Sequence, residues 1–194
     1  MDTMKWLQLA TSKDKTRFNL GSIYRAKNCL VATDGHRLHM SNGLIDATPH
    51  YLDGLDADFP DFAQVLPTKT AVSIVQISSG SVKILQKLMN LIKKRDKWNT
   101  ISLSVTREHE QSKEPRAKGT IQYLDPDLLV NLDLNIGELE GIPFNLSVNL
   151  AYLVDALSMA DDHLVTLEYR GQFDPILIKH EANTAMLMPL KENK

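Results

Sequence analysis

Cys29 is the only cysteine in the sequence, so no intramolecular disulfide can form and the chain suits a reducing compartment. That predicts the cytoplasm. Long apolar runs are missing as well: no window approaches the roughly 18 residues a membrane helix needs. The opening residues Met1-Asp2-Thr3-Met4-Lys5-Trp6 have no apolar stretch behind a basic head. Neither export nor membrane insertion is expected. Basic residues are not in excess, for 22 Lys and Arg stand against 24 Asp and Glu, leaving a net charge of −2. Any contact with nucleic acid must therefore come from a local cluster. Signatures of catalysis are also absent, with no nucleophile elbow, phosphate-cradling glycine loop or paired-histidine zinc helix. Asp53, Asp56, Asp58 and Asp61 fall in a turn-rich stretch, where solvated carboxylates are the plain reading. No enzymatic activity and no cofactor is expected.

What is present is enough apolar material for a core, 43% of 194 residues. Residues 3–11 read as a short helix capped by Asp2 or Thr3, with Met4, Leu7 and Trp6 inward. Phe18 to Arg25 and Asn28 to Met40 read as strands, with a turn at Ala26-Lys27-Asn28 and another at Asn42-Gly43. The Asp-, Gly- and Pro-rich stretch from Asn42 to Asp58 reads as a connector.

After Pro67 the pattern predicts a strand over Ala71–Ile77. A helix follows from Gly80 to about Lys94, with Val82, Leu85, Leu88 or Met89 and Ile92 on its inner face. A strand over Thr100–Val105 precedes a charged loop from Arg107 to Gly119. Strands over Thr120–Leu124 and Leu128–Leu134 flank a turn at Asp125-Pro126-Asp127. The same order then recurs: a strand over Phe144–Val148, Asn149 as cap, a helix over Leu150–Met159, and strands at Val165–Arg170, Pro175–His180 and Thr184–Pro189. This is an internal repeat of strand, helix and antiparallel strands. The helix at Thr3 with its two strands is a third, incomplete copy. Strands punctuated by few helices argue for an α+β fold.

Three separated segments carry more information than the pattern does: Leu30-Val31-Ala32-Thr33-Asp34-Gly35-His36-Arg37-Leu38-His39-Met40, Phe59-Pro60-Asp61-Phe62 and Met188-Pro189-Leu190. In kind and in order they resemble segments of the bacterial DNA polymerase III beta subunit, the sliding clamp. The resemblance implies a DNA-clamp fold of about one and a half clamp domains. Residues 1–67 would be half of a middle-type domain plus its connector, and residues 68–194 one complete domain of the last type. The first domain and half of the second have no counterpart here.

The resemblance also implies a pocket between the two parts that captures short motifs of a DNA polymerase or repair partner. Its walls would be Thr33, Gly35, His36, Arg37 and Leu38 from the first segment, with Pro60 and Val65 from the second. Asn149 and Tyr152 would join Met188, Pro189 and Leu190 as the third wall. Apolar walls would supply affinity, and Asn149, the Arg37 guanidinium and backbone groups would fix orientation. Leu190 stands where the family usually has Met, and Lys191 where it often has Arg.

Asp34, His36, His39 and His50 invite a metal reading. A strand, however, sends His36 and His39 to opposite faces, so they cannot share an ion and no metal site is expected. His39 is expected as an exposed strand residue. In the helix over residues 81–94, Lys83, Lys87 and Lys94 follow one face opposite the apolar stripe, and Lys97 extends the basic end. An ordinary solvated face explains them equally well from sequence. Because clamp helices line the DNA hole, the resemblance assigns these lysines, with Lys5, to double-stranded DNA. The helix at Leu150 carries Asp155 and no Lys or Arg. The leading expectation is a non-catalytic replication accessory factor, a homo-oligomer around duplex DNA. The alternative is a peptide-binding adaptor or decoy for clamp-binding motifs that does not encircle DNA.

Overall fold

The computed structural model describes residues 2–43, 48–78, 80–92, 99–108, 116–160 and 163–191. Helix α1 is Thr3–Gln8, with Asp2 as its cap accepting the Met4 N–H. Strands β1 (Tyr24–Arg25), β2 (Cys29–Thr33), β3 (Arg37–Asn42) and β4 (His50–Tyr51) follow. Then come β5 (Ser73–Ser78), α2 (Gly80–Ile92), β6 (Thr100–Glu108), β7 (Arg116–Asp125), β8 (Leu128–Leu134) and β9 (Ile136–Gly141). The last part holds β10 (Phe144–Asn149), α3 (Leu150–Leu157), β11 (Leu164–Tyr169), β12 (Ile176–His180) and β13 (Asn183–Leu187).

The repeat seen in the sequence is visible as reciprocal pairing. The strand that opens each unit pairs with the first strand after the helix of the other: β5 with β11, and β10 with β6, all antiparallel. The result is a nine-stranded sheet in the order β4-β1-β2-β3-β13-β12-β11-β5-β9 and a four-stranded sheet in the order β10-β6-β7-β8. The β3–β13 pair, from Asn183 opposite Ser41 to Leu187 opposite Arg37, carries the larger sheet from the first 67 residues into the remainder. The helices form a row. Trp6 of α1 donates its indole N–H to the Asp155 carbonyl of α3 at 3.0 Å, and α3 packs against α2. The main core lies beneath them, with Leu85 and Ile92 of α2 and Leu150 and Leu157 of α3 fully buried.

Several local expectations need correction. Phe18 to Arg25 does not form a strand: Asp14 caps a 3-10 helix over Lys15–Leu20 by accepting the Thr16 N–H at 2.9 Å, leaving only Tyr24–Arg25 extended. In α1 the buried residues are Trp6 and Leu7, while Met4 is exposed. Both ends of the expected Arg107–Gly119 loop are strand, in β6 and β7; residues 109–115 lie outside the described residues. Strand β9 was not expected. It pairs with β5 and ends at Gly141, whose φ of +93° and 2.0 Å clearance from the Val72 carbonyl to a would-be Cβ leave room for glycine alone.

Candidate functional site

The turn between β2 and β3 is built by its own polar side chains. Thr33 Oγ1 accepts the Gly35 N–H at 3.0 Å and donates to the Arg37 carbonyl at 2.5 Å. Asp34 Oδ1 accepts the N–H groups of His36 at 2.9 Å and Arg37 at 3.1 Å. Gly35 sits at φ +88°, a left-handed conformation, and a Cβ there would lie 2.9 Å from Arg17 Nη1. Arg17 itself donates to the Asp34 carbonyl at 3.1 Å. Sequence reasoning missed Arg17. The Asp14 cap, which starts the 3-10 helix that carries it, was the available signal.

Arg37 is buried. Its guanidinium meets the Asp34 carboxylate at 3.1 Å, the Asp155 carboxylate at 2.6 Å and the Leu9 carbonyl, and it lies 4.3 Å from the centroid of the Tyr152 ring. Burial pushes the Asp155 carboxyl upward from its ordinary pKa, and the Arg37 cation opposes that shift. Burial also raises the Tyr152 phenol, with Asp34 adding to the effect. Tyr152 and Asp155 project from α3, whose start is set by Asn149: its side chain accepts the N–H groups of Ala151 at 2.9 Å and Tyr152 at 3.2 Å. Asn149 is thus a cap, as its place before an apolar helix predicted.

Leu38 points into a second, smaller core with Val31, Leu177 and Met186, against which Phe59, Phe62 and Leu66 pack. Phe59 stacks on Tyr24 at 4.6 Å between ring centroids. Asp61 caps the short 3-10 helix Phe62–Val65. The aromatic residues of that segment therefore face inward, whereas Pro60 is exposed and Val65 is 51% exposed. At the other end of the chain, the Met188 N–H donates to the His36 carbonyl at 3.3 Å, and the Leu190 N–H to the Ser147 carbonyl of β10 at 2.8 Å. Met188 is exposed; Pro189 and Leu190 are half-buried. A separate cavity of about 310 Å³, lined by Met4, Gln8, Ser22, Ile23, Leu52 and Asp53, shares none of these residues.

The histidines differ from expectation. His36 is exposed at the turn, but His39 is fully buried, stacked on Trp6 at 4.2 Å between centroids and 8° between planes. Its Nδ1 faces the Trp6 carbonyl at 3.0 Å, which makes that nitrogen the protonated one in the neutral ring. Desolvation lowers its pKa to about 3. The expectation of an exposed strand residue fails because α1 packs over β3. Of the lysines assigned to DNA, Lys5 is exposed on α1 and Lys83 and Lys87 are exposed on α2. Lys94 and Lys97 lie outside the described residues.

No family model matches the sequence, and no curated protein matches it. Solved structures do. The beta subunit of the Streptococcus pyogenes DNA polymerase superposes with a TM-score of 0.80 at 17% identity, covering 97% of this chain and 62% of that one. The Caulobacter crescentus beta sliding clamp gives 0.76 at 17% identity over 98% of this chain and 65% of its own. The Bacillus subtilis sliding clamp gives 0.76 at 16% identity, with coverages of 97% and 62%. The chain thus spans less than two thirds of each of these clamps. Its α+β architecture, with duplicated units and antiparallel sheets, is the fold of the bacterial DNA polymerase III beta sliding clamp in shortened form.

Proposed function

We propose that this chain is a non-catalytic, sliding-clamp-like replication accessory factor of the cytoplasm. It captures a short apolar motif of a polymerase or repair partner between a partial domain, residues 1–67, and a complete one, residues 68–194. The observation that carries this reading is convergence. The 33–38 turn meets α3 through Arg37 and Tyr152, meets the C-terminal segment through His36 and Met188, and shares the Leu38 core with Phe59 and Phe62. Segments from four parts of the chain are thus linked around that turn, and Met188 and Val65 expose apolar side chains. Replacing Leu190 or Val65 with Glu should weaken a clamp-binding peptide by about 2 kcal/mol or more, the scale of a lost desolvated anchor. Unchanged affinity in calorimetry with a folded variant removes the assignment.

Duplex DNA would be held without sequence preference by Lys5, Lys83, Lys87, Lys94 and Lys97 in a homo-oligomer that supplies the missing part of a ring. Light scattering that shows only monomer at micromolar concentration would exclude the ring. One observation favours the second reading, an adaptor or decoy that engages clamp-binding motifs without encircling DNA: α3, beside α2 in the helical row, has no basic residue in Leu150–Leu157.

A further inference from the structure

Arg37 is 7% exposed, and each nitrogen of its guanidinium is already committed inside the chain. Nε reaches Asp34 Oδ2, Nη1 reaches Asp155 Oδ2, and Nη2 donates to the Leu9 carbonyl. The flat face lies on Tyr152. Three of its five N–H donors are spent inside the chain, and burial leaves little of the other two for an incoming peptide. We propose instead that Arg37 and Asp155 are positioning residues, which hold the Tyr152 ring, the Asp34–His36 turn and the C-terminal segment in the geometry that captures a peptide. The inference rests on the peptide-capture reading above.

The connections are continuous. Asp155 binds Arg37 at 2.6 Å, and Arg37 binds Asp34 at 3.1 Å. Asp34 fixes the His36 N–H at 2.9 Å, and the His36 carbonyl receives the Met188 N–H at 3.3 Å. Tyr152 lies one helical turn before Asp155 on α3, beneath the same guanidinium. Only a planar fork can bind two carboxylates and a carbonyl while stacking on a ring; an ammonium is a point charge with no flat face. Breaking a largely buried pair leaves its partner charge uncompensated, so the loss of either residue is transmitted to the groups the other holds.

The test uses the full chain and a fluorescent synthetic peptide copied from the clamp-binding motif of a bacterial replicative polymerase. Arg37→Lys and Asp155→Asn should each weaken binding about tenfold, the scale of one lost charge-assisted hydrogen bond. The double variant should be no weaker than the weaker single, since both break one network. Without peptide, the Tyr152 ring resonances should shift in both singles and stay in place in Lys69→Ala, which removes the exposed pair with Asp174. Should Arg37→Lys not fold, Asp155→Asn decides: it weakens binding and shifts the Tyr152 ring resonances, whereas Lys69→Ala leaves both unchanged. Parent-like affinity in folded Arg37→Lys or Asp155→Asn, or effects that multiply in the double variant, overturns the inference. A parent chain that does not bind the peptide overturns the peptide-capture reading itself, and the positioning role with it.

Discussion

Helix α2 turns Lys83, Ile84, Lys87 and Leu91 to solvent, whereas α3, which holds the same place in the second copy of the unit, buries Leu150, Leu153, Val154, Ala156 and Leu157. On α2 one side is core and the other is a mixed basic and apolar surface, with Ile84 41% and Leu91 52% exposed. On α3 even the outward positions are taken: Tyr152 lies under Arg37, and Asp155 binds both Arg37 and, through its carbonyl, Trp6. Duplication supplies two equivalent helices, and the residues packed around each decide its use. The helix in the middle of the row is covered on its outer side as well, whereas α2 keeps Lys83, Ile84, Lys87 and Leu91 exposed.

The comparison breaks most visibly at one leucine from each helix. Leu157→Ala, at a fully buried position of α3, should cost about 2–5 kcal/mol through lost burial and a residual cavity. Leu91→Ala, on the exposed side of α2, should stay within about 0.5 kcal/mol. Urea unfolding of the two variants measures the difference, and equal losses would mean that α2 is covered in solution.

Acid sharpens the contrast on the side of α3 that Trp6 reaches. His39 is held neutral, with a folded pKa of about 3 against an ordinary value of 6.5. The unfolded chain therefore binds the extra proton first. The stability this histidine contributes is complete above the ordinary value and is lost as pH falls toward the folded one, by about 1.4 kcal/mol per pH unit. His39→Phe keeps an aromatic ring against Trp6 and removes the proton. Chemical unfolding between about pH 6 and pH 4 should show the parent losing stability at that rate relative to the variant. Parallel pH profiles would place the acid sensitivity elsewhere.

The smallest expected effect on stability is at the free face itself. Lys83→Glu with Lys87→Glu should change unfolding free energy by less than about 0.5 kcal/mol and leave peptide capture intact. Duplex affinity should lose about 0.9 from its log–log salt slope for each phosphate contact removed. An unchanged slope with full retention of circular DNA would show that α2 lines no channel and would favour the adaptor.

Much of the local architecture was legible in the sequence because its causes act over a few residues. The caps at Asp2 and Asn149 each place a side-chain oxygen beside the first free N–H groups of a helix. The inner face of α2 followed from helical spacing, and the two complete units from the recurrence of one pattern. The 3-10 helix at Lys15 and strand β9 escaped because neither has a long apolar period. Burial was harder to read: His39 looks exposed until α1 is laid over β3, and Arg37 looks available until Asp155 arrives from 118 residues away. The order of the three informative segments belongs to the sequence. Their meeting belongs to the tertiary structure, because it depends on β3 pairing with β13, and no rule of spacing connects Arg37 with Leu187. Strand partners far apart in the chain are chosen by the whole of the buried surface, which exists only once the sheets and helices have closed on one another.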